Sequence, residues 1–352
     1  MPDLNSDTPW VSFCMSTYRR TGFLHETLAI IRAQTFTDFE VVISDNDPDA
    51  SGSAVVEAFG ESRFRYFHNG DNLGMVASFN KSIERSRGQY IVMITDDDPV
   101  YPDMLKTLHR LWVEYPGYGL YIGGHDNFFH GLEQAKLAGS KVGTNSGLAE
   151  MELGAERVFS PAEFPEAFLN GPLAGILLWS TGIVRRDIAL AVGGFPDYGT
   201  PHMADNSYIL LSGVRAGCVY VNTALGYRAI HNENYSYREA NYESIYKAPD
   251  RFYQWTVDRL PPAVNTAELR GQLEYVVGRD MTVYVISIKK MLQAQGVESK
   301  IFEDFRQRFF KLPFLQRWKR KYDIAVHFPN SFRFFLALRG MLSPSSSKKT
   351  GR

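Results

Sequence analysis

Apolar and polar positions along the first 125 residues follow two alternating patterns. Residues 10–15 and 39–45 are short apolar runs of strand length, whereas Leu24, Leu28 and Ile31 recur at helical spacing between them. The alternation continues through a short helix, a third strand and a further helix that closes at Gly88. Strands and helices that alternate in this way are typical of an α/β domain with a mostly parallel sheet.

A fourth predicted strand, residues 90–94, leads into three acidic residues within the segment GQYIVMITDDDPVYPDML. A strand that is apolar on both faces is expected at the centre of a parallel sheet, and such sheets bind ligands at the carboxyl ends of their strands. Asp96, Asp97 and Asp98 either bind a divalent cation or cap the following helix. Capping accounts for one aspartate only, so a cation site is favoured.

The rest of the chain changes from mixed to helical character. Residues 131–160 are Gly-rich and weakly patterned, which indicates an insertion or a mobile loop. The segments that follow are predicted as a helix near 161–170, a strand near 173–180, a helix from about Arg185, a helix ending at Gly217 and the strand CVYVN. Helical patterns continue from about residue 240, and the final SPSSSKKTGR is expected to be disordered.

Charge is distributed unevenly along the 352 residues. The formal net charge is −1, yet residues 301–352 carry 12 Lys and Arg against 3 Asp and Glu. A basic, aromatic tail on an acidic body indicates an anionic partner such as phospholipid or nucleic acid. An ordinary helical appendage and a dimerisation arm are the alternatives.

Cysteine content and apolar runs restrict the cellular setting. Cys14 and Cys218 each lie beside apolar runs, which indicates buried thiols rather than a disulfide framework. The start MPDLNSDTPWV has no basic and apolar regions of a secretory signal, and no apolar run approaches the roughly 18 residues of a membrane span. We therefore expect a cytoplasmic protein that is at most peripheral to a membrane.

Three further polar positions are candidates for chemistry, each with a structural alternative. Asp45 follows the second strand and accepts hydrogen bonds from a ligand, or it belongs to a solvated turn. Asp205 opens a helix, where an acid also complements the helix dipole. His231 is a phosphate or metal ligand, or an ordinary loop histidine. The nicotinamide, P-loop and zincin motifs are absent from the sequence.

Taken together, these segments resemble the family 2 glycosyltransferases, whose nucleotide-sugar-binding fold is called GT-A. The resemblance covers about residues 10–235 and rests on six segments in a fixed order: VSFCMSTYRR, FEVVISDND, DNLGMVASFNKSI, ITDDDPVYPDML, GGFPDYGTPHMADNSYILL and YRAIHNENYS. It implies a Rossmann-like, mostly parallel sheet flanked by helices, with a C-terminal helical appendage.

The resemblance also implies roles for individual residues. Asp205 is the general base, and Asp98 and His231 are the expected metal ligands, with Mn²⁺ or Mg²⁺ as the cofactor. The nucleotide- and donor-binding positions are Thr17, Tyr18, Arg19, Asp45, Asn72, Gly74, Asn80, Asp96 and Asp97. Two departures matter: Ala204 replaces the first acid of the pair before the base, and Thr95 stands where the metal motif usually starts. Asp97 therefore stays an alternative metal ligand to Asp98, with Asp96 in support.

The implied activity is inverting, metal-dependent transfer of a sugar from a nucleoside-diphosphate sugar to a glycan or lipid-linked acceptor, in surface polysaccharide assembly. We expect a glycosyltransferase domain over 1–238, with a nucleotide-sugar half at about 10–125 and an acceptor half at about 160–238. A helical C-terminal region over residues 239–342 is expected to contact a membrane or another subunit, and residues 343–352 form a disordered tail. Nucleic acid is not an expected partner.

Two other functions stay open at this level. A haloacid-dehalogenase-like phosphatase would use Asp45 as its nucleophile and Asp96 and Asp97 as its metal site. A non-catalytic module would bind a nucleotide sugar or glycan without turnover, and the absent acid at Ala204 supports it.

Overall fold

The computed structural model describes residues 8–97, 99–129, 151–175, 177–230, 235, 238–313 and 315–327. The strands are β1 (Val11–Thr17), β2 (Phe39–Asp45), β3 (Phe64–His68), β4 (Tyr90–Ile94), β5 (Leu120–Phe129), β6 (Glu156–Phe159), β7 (Gly182–Arg185) and β8 (Cys218–Ile230).

The α-helices, numbered along the chain, alternate with these strands and then follow them. They are α1 (Thr21–Arg32), α2 (Ser53–Phe59), α3 (Met75–Arg85), α4 (Met104–Glu114), α5 (Phe164–Leu169), α6 (Arg186–Ala191), α7 (Ala204–Ala216), α8 (Tyr242–Arg259), α9 (Ala267–Ala294), α10 (Lys300–Phe309) and α11 (Gln316–His327). Short 3₁₀ helices lie at Trp179–Thr181 and Glu239–Asn241.

The strands form one mixed sheet in the order β3-β2-β1-β4-β7-β5-β8-β6. The first four are parallel, β7 is antiparallel to both of its neighbours, β5 and β8 are parallel, and β6 is antiparallel to β8. In register, Thr17 lies opposite Asp45, and Asp45 lies opposite His68. The carboxyl ends of β1, β2 and β3 therefore meet at one edge, as expected for an open α/β sheet.

The core of this sheet explains why the apolar runs form strands. All residues of β4 are buried, and so are Phe13 and Met15 of β1. Helix α1 covers one face because Leu24, Leu28 and Ile31, spaced by one helical turn, are fully buried. A central strand covered on both faces needs apolar residues at every position, and this is the pattern that the sequence shows.

The sequence predictions are confirmed for the mixed, mostly parallel sheet with flanking helices, but two details differ. The strand predicted near 173–180 is wrong, because the described residues of this stretch form a turn at 173–175 and the start of the 3₁₀ helix Trp179–Thr181, and the strand begins at Gly182. Gly175 takes a positive φ of 75°, which interrupts an extended run. Within the region interpreted as an insertion, β6 pairs with β8, and residues 130–150 lie outside the described part.

The chain divides into two compact units, Met1–Leu273 and Glu274–Arg352, and the division falls within α9. Helix α8 belongs to the first unit: the hydroxyl groups of Ser207 and Thr256 lie 2.9 Å apart, and Arg251 donates to the carbonyl of Tyr198. The boundary of the glycosyltransferase domain that the sequence places at residue 238 stays a prediction.

The second unit has an aromatic core. Phe302, Phe305 and Phe309 of α10 are buried at helical spacing, and Ser299 caps this helix by accepting from the backbone of Phe302. Trp318 packs on Tyr275 with ring centroids 5.0 Å apart. None of the described helices is both long enough and apolar enough to cross a membrane.

Candidate active site

Arg20 connects the two described aspartates of the acidic segment. One guanidinium nitrogen donates to Asp96 Oδ1 and the other to Asp97 Oδ2, each at 2.7 Å. Arg20 follows β1 directly, and the aspartates follow β4, so a single side chain joins two neighbouring strand ends. One planar guanidinium is suited to binding two carboxylates in this way.

Asp96 is buried and is held by hydrogen bonds from three other residues, one of which is Arg20. It is 3% exposed, its second oxygen accepts a hydrogen bond from Thr17 at 3.1 Å, and its backbone carbonyl accepts one from Thr27 at 2.9 Å. Burial raises the pKa of Asp96 to about 7, and the charge of Arg20 opposes this shift. Asp96 therefore serves to order the loop that carries Asp97.

The loop after β1 also presents Tyr18 and Arg19. Tyr18 is 40% exposed, and Arg19 has a positive φ of 55°, a conformation that non-glycine residues seldom adopt. Arg19 donates to Asp47 at 3.0 Å and to Asp49 at 3.3 Å. Backbone strain of this kind is concentrated at functional loops.

Asp45 lies beneath this surface. It is fully buried, and its carboxylate accepts hydrogen bonds from the backbone of Asp47 and Gly52 and from the hydroxyl of Tyr66, at 2.7–3.0 Å. A Cβ at Gly52 would lie 2.8 Å from Asp45 Oδ2, so only glycine permits this approach. The arrangement leaves the carboxylate enclosed, which disfavours its use as the nucleophile of a phosphatase.

Asn72 and Gly74 shape the start of α3. The Asn72 side chain accepts from the backbone of Gly74 at 2.9 Å, and Gly74 has a positive φ of 83°. Asn46, next to Asp45, donates to the Gly74 carbonyl at 3.0 Å. These contacts bring the segment around residue 74 to the edge where β2 ends.

Asn80 points from α3 to the segment that precedes α7. Its Oδ1 accepts from the backbone N–H of Phe195 at 2.7 Å, and its Nδ2 donates to the Phe195 carbonyl at 2.9 Å. Gly194, with φ of 71°, leaves no room for a Cβ beside Asn80 Oδ1. In this structure Asn80 therefore binds protein backbone.

Asp205 lies in the first turn of α7. The residue before the helix, Met203, has a positive φ of 66°, and Asp205 accepts from the backbone of Asn206 at 2.9 Å. Burial raises the pKa of Asp205, while that hydrogen bond and the charge of Arg228 lower it in part. A carboxylate with a raised pKa is a better proton acceptor, as a general base requires.

The metal ligands expected from the sequence, Asp98 and His231, both lie outside the described residues. Within the described ranges, no group of three or more His, Cys, Asp or Glu residues could hold a metal ion. The chemistry of the described part nevertheless fits: Asp97 supplies the carboxylate oxygen that Mg²⁺ and Mn²⁺ prefer. Asp96 is engaged by Arg20 and Thr17.

The structure thus brings Thr17 into direct contact with Asp96, and Arg20 joins Asp96 to Asp97. Arg20 is not among the site residues that the sequence predicts. The sequence offers two consecutive arginines at this point, and spacing alone does not show which one turns toward the aspartates. Arg20 also packs over Phe23, 4.4 Å from the ring centroid. Phe23 lies in the first turn of α1, a helix that the apolar spacing of the sequence does predict.

Comparison with known proteins extends these observations. Residues 12–159 match the family model described as Glycosyl transferase family 2. EpsH of Bacillus subtilis, which is named as a glycosyltransferase, is 34% identical over 106 residues, 30% of each chain. The GalNAc(5)-diNAcBac-PP-undecaprenol beta-1,3-glucosyltransferase of Campylobacter jejuni is 26% identical over 103 residues, 28% of this chain and 33% of its own. The chain thus matches about a third of the length of these relatives.

A solved structure shares the fold over most of the chain. The mannosyltransferase PcManGT from Pyrobaculum calidifontis, in complex with GDP-Man and Mn²⁺, superposes with a TM-score of 0.51 at 14% identity. The match covers 92% of this chain and 88% of that one. It identifies the GT-A type of fold, and the expected resemblance to family 2 is confirmed over the matched residues.

Proposed function

We propose that this chain, whose residues 12–159 match glycosyl transferase family 2, is an inverting glycosyltransferase that uses a nucleoside-diphosphate sugar. The observation that carries the proposal is the Arg20 bridge between Asp96 and Asp97. It places an acidic pair at the carboxyl edge of the parallel strands, where α/β folds bind nucleotides. The fold shared with a GDP-Man-bound mannosyltransferase supports the same assignment.

The donor nucleotide would bind along the edge formed by β1, β2 and β4. Thr17 is oriented by Asp96, and the exposed ring of Tyr18 is available to stack on a base. Arg19 is directed by Asp47 toward the same loop. Asp45 would act indirectly, by holding the loop after β2 through the hydrogen bond that it accepts from the Gly52 backbone. Asn72 and Gly74 would border the site at the start of α3.

A divalent cation is part of the proposal. Asp97 and Asp98 would hold Mn²⁺ or Mg²⁺, together with His231, and the cation would neutralise negative charge on the leaving nucleoside diphosphate. Arg20 fixes the orientation of Asp97. Thr17 and Thr27 hold the preceding residue, Asp96, by its side chain and its backbone carbonyl.

Asp205 would act as the general base. Its carboxylate removes the proton from the acceptor hydroxyl as that oxygen attacks the anomeric carbon, and the bond to the diphosphate oxygen breaks in the same displacement. One displacement inverts the configuration at that carbon. The strained residue Met203 and the Asn80 contact with Phe195 hold the segment that leads to α7.

The acceptor would be a glycan or a lipid-linked saccharide in surface polysaccharide assembly. The Campylobacter jejuni relative, named for a PP-undecaprenol substrate, supports a lipid-linked acceptor. We propose that the protein acts in the cytoplasm, at the inner face of the membrane, and that its basic helical region meets the anionic surface.

Thermal stability in the presence of UDP, dTDP, GDP and CMP, each with and without Mn²⁺, tests donor binding. A ligand at 100 times its dissociation constant adds about 2.7 kcal/mol to the free energy of unfolding. Stabilisation by one nucleoside diphosphate only with Mn²⁺ supports the proposal, and no stabilisation by any of them contradicts it.

A binding module without turnover is the second candidate. Ala204, fully buried, stands where a second carboxylate would precede the base. Such a module would be stabilised by a nucleotide but would release no nucleoside diphosphate from any donor, so a turnover assay separates the two functions.

A further inference from the structure

The second unit contains a cleft of about 500 Å³ that the glycosyl-transfer proposal does not use. Its walls come from α9, α10 and α11, all within Glu274–Arg352. The lining residues are Lys289, Glu303, Arg306, Gln307, Phe310, Lys311, Lys319, Tyr322, Asp323, Val326 and His327. A volume of this size lies within the usual range for small-molecule sites.

The charges of the cleft favour an anion. Four of the lining side chains are cationic and two are anionic, so the formal charge is +2 with His327 neutral. Both acids are neutralised by a neighbour on their own helix: Glu303 pairs with Arg306, and Asp323 pairs with Lys319 at 2.6 Å. Among the described residues, no ion pair within 4 Å involves Lys289 or Lys311, although the charge of Lys289 also acts on Glu303.

One cation of the cleft is fixed in position. The Arg306 side chain is 18% exposed, its Nε lies 3.0 Å from both Glu303 oxygens, and its Cζ lies 5.5 Å from the Tyr322 ring centroid. A guanidinium held in this way loses little conformational entropy when an anion binds. The flexible ammonium groups of Lys289 and Lys311 would close on the anion as point charges.

We propose that this cleft binds a phosphate group, and that its source is the headgroup of an anionic phospholipid. The charge of the surrounding chain favours a lipid over a free ion, because residues 301–352 carry 12 basic and 3 acidic residues. Such a surplus is attracted to an anionic leaflet. Phe310 and Val326 supply apolar lining beside the cationic groups. The inference deepens the membrane part of the proposed function and rests on that part.

The test is sedimentation of the full chain with phosphatidylcholine vesicles, with and without about one third phosphatidylglycerol, at the roughly 0.1 M salt where distant charges are screened. The test variant is Lys289→Gln with Lys311→Gln. Its matched control is Lys290→Gln with Lys300→Gln, which removes the same charge from exposed positions that do not line the cleft. None of the four lysines belongs to the buried core of the second unit.

We expect the native chain to bind only the anionic vesicles. The cleft variant should lose at least tenfold in affinity, and the matched control should lose less than threefold. Equal losses in the two variants would mean diffuse surface attraction and would overturn the proposal. So would the absence of binding to anionic vesicles by the native chain.

Inorganic phosphate separates the two sources of the ligand. If millimolar phosphate is bound by the native chain and lost in the cleft variant, while vesicles are not bound, the lipid assignment is wrong. Neither measurement involves a sugar donor. Failure of glycosyl transfer would therefore leave these results unchanged, and failure of vesicle binding would leave donor turnover in solution unchanged.

Discussion

Asn80 and Phe195 are joined by two hydrogen bonds that use both ends of the Asn80 amide and both backbone groups of Phe195. The contact spans 115 positions of sequence and ties α3, whose first turn borders the donor edge, to the segment that leads to Asp205. The Phe195 ring packs on Phe79 and Trp179, with centroids 5.6 and 4.9 Å away. Asn80 is thus placed to position the two halves of the site.

Replacing Asn80 by Ala should impair the chemical step more than donor binding. The change leaves the backbone N–H and carbonyl of Phe195 without their partners, which costs about 1–3 kcal/mol, and it frees the segment before α7. We expect kcat to fall about tenfold or more, while the affinity for a nucleoside diphosphate changes less than threefold. Steady-state kinetics and nucleotide titration measure the two quantities.

The matched control is Lys81→Ala, because Lys81 is the next residue on α3 and forms an exposed ion pair with Glu84. Asn80→Asp keeps the bond from the Phe195 N–H and should be intermediate. A large loss of nucleotide affinity with an unchanged kcat would contradict the positioning role and favour direct contact between Asn80 and the donor.

Asp205 should set the acidic limit of activity. Because burial raises the pKa of Asp205 above the usual aspartate value, the acid limb of kcat/KM should lie at higher pH than an exposed aspartate would give. Activity is present where Asp205 is ionised and is lost as the pH falls through this pKa. Asp205→Asn should lower kcat at least about 100-fold and leave nucleotide affinity unchanged. A pH–rate profile and the variant's kinetics measure this.

Asp258→Asn, at an exposed position on α8, is the control for the loss of one carboxylate. The assignment of Asp205 as the base would fail if Asp205→Asn retained more than half of the native turnover.

Arg20 should matter to stability more than Arg19 does. Asp96 is 3% exposed, so removing its cationic partner leaves a buried carboxylate unpaired, which typically costs about 3–5 kcal/mol. Urea denaturation of Arg20→Ala should show a loss of about this size. Arg20→Lys should recover only part of it, because an ammonium cannot span both carboxylates in the same way.

Arg19→Ala is the matched control, since the Arg19 side chain is 55% exposed and its removal should change stability little. Equal stabilities for the two alanine variants would show that the ion pair with Asp96 and Asp97 contributes nothing measurable.

Glu40 of β2 should stabilise the sheet in its ionised form. Burial would raise its pKa, but hydrogen bonds from Ser12, the Arg87 backbone and Arg65 outweigh burial, and the net pKa is lowered. Stability from this group is therefore complete above its unfolded pKa and is lost as the pH falls through the folded one. Glu40→Gln should cost about 2 kcal/mol in urea denaturation.

Glu84→Gln provides the comparison, because the Glu84 side chain is 57% exposed and its ion pair with Lys81 is expected to contribute little. If Glu40→Gln and Glu84→Gln unfold at the same urea concentration, the account of Glu40 is wrong.

The sequence predicts the sheet better than it predicts the site. Periodicity locates β1, β2 and β4 because a strand covered on both faces must be apolar throughout. It also places the acidic segment at a strand end. The prediction near 173–180 fails because a short apolar run does not distinguish a strand from a turn followed by a 3₁₀ helix, which is what the described residues form.

Side-chain partners depend on contacts between distant segments, and periodicity does not encode them. The sequence predicts Asp45 and Asn80 at the donor, whereas in the structure Asp45 accepts hydrogen bonds from Gly52 and Tyr66 and Asn80 binds the backbone of Phe195. The sequence pattern favours Arg19, whereas the fold turns Arg20 toward Asp96, because only tertiary contacts decide which of the two arginines faces the aspartates. Their roles toward a substrate stay predictions.

Turnover of a donor tests the central claim most directly. The chain would be incubated with UDP-, dTDP- and GDP-sugars, in Mn²⁺ or in EDTA, and the released nucleoside diphosphate quantified for the native chain, Asp97→Asn and Asp205→Asn. We expect release from one class of donor only with Mn²⁺, and a loss of at least about 100-fold in both variants. Release that is equal in all three proteins, or no release from any donor together with no stabilisation by any nucleoside diphosphate, would contradict it.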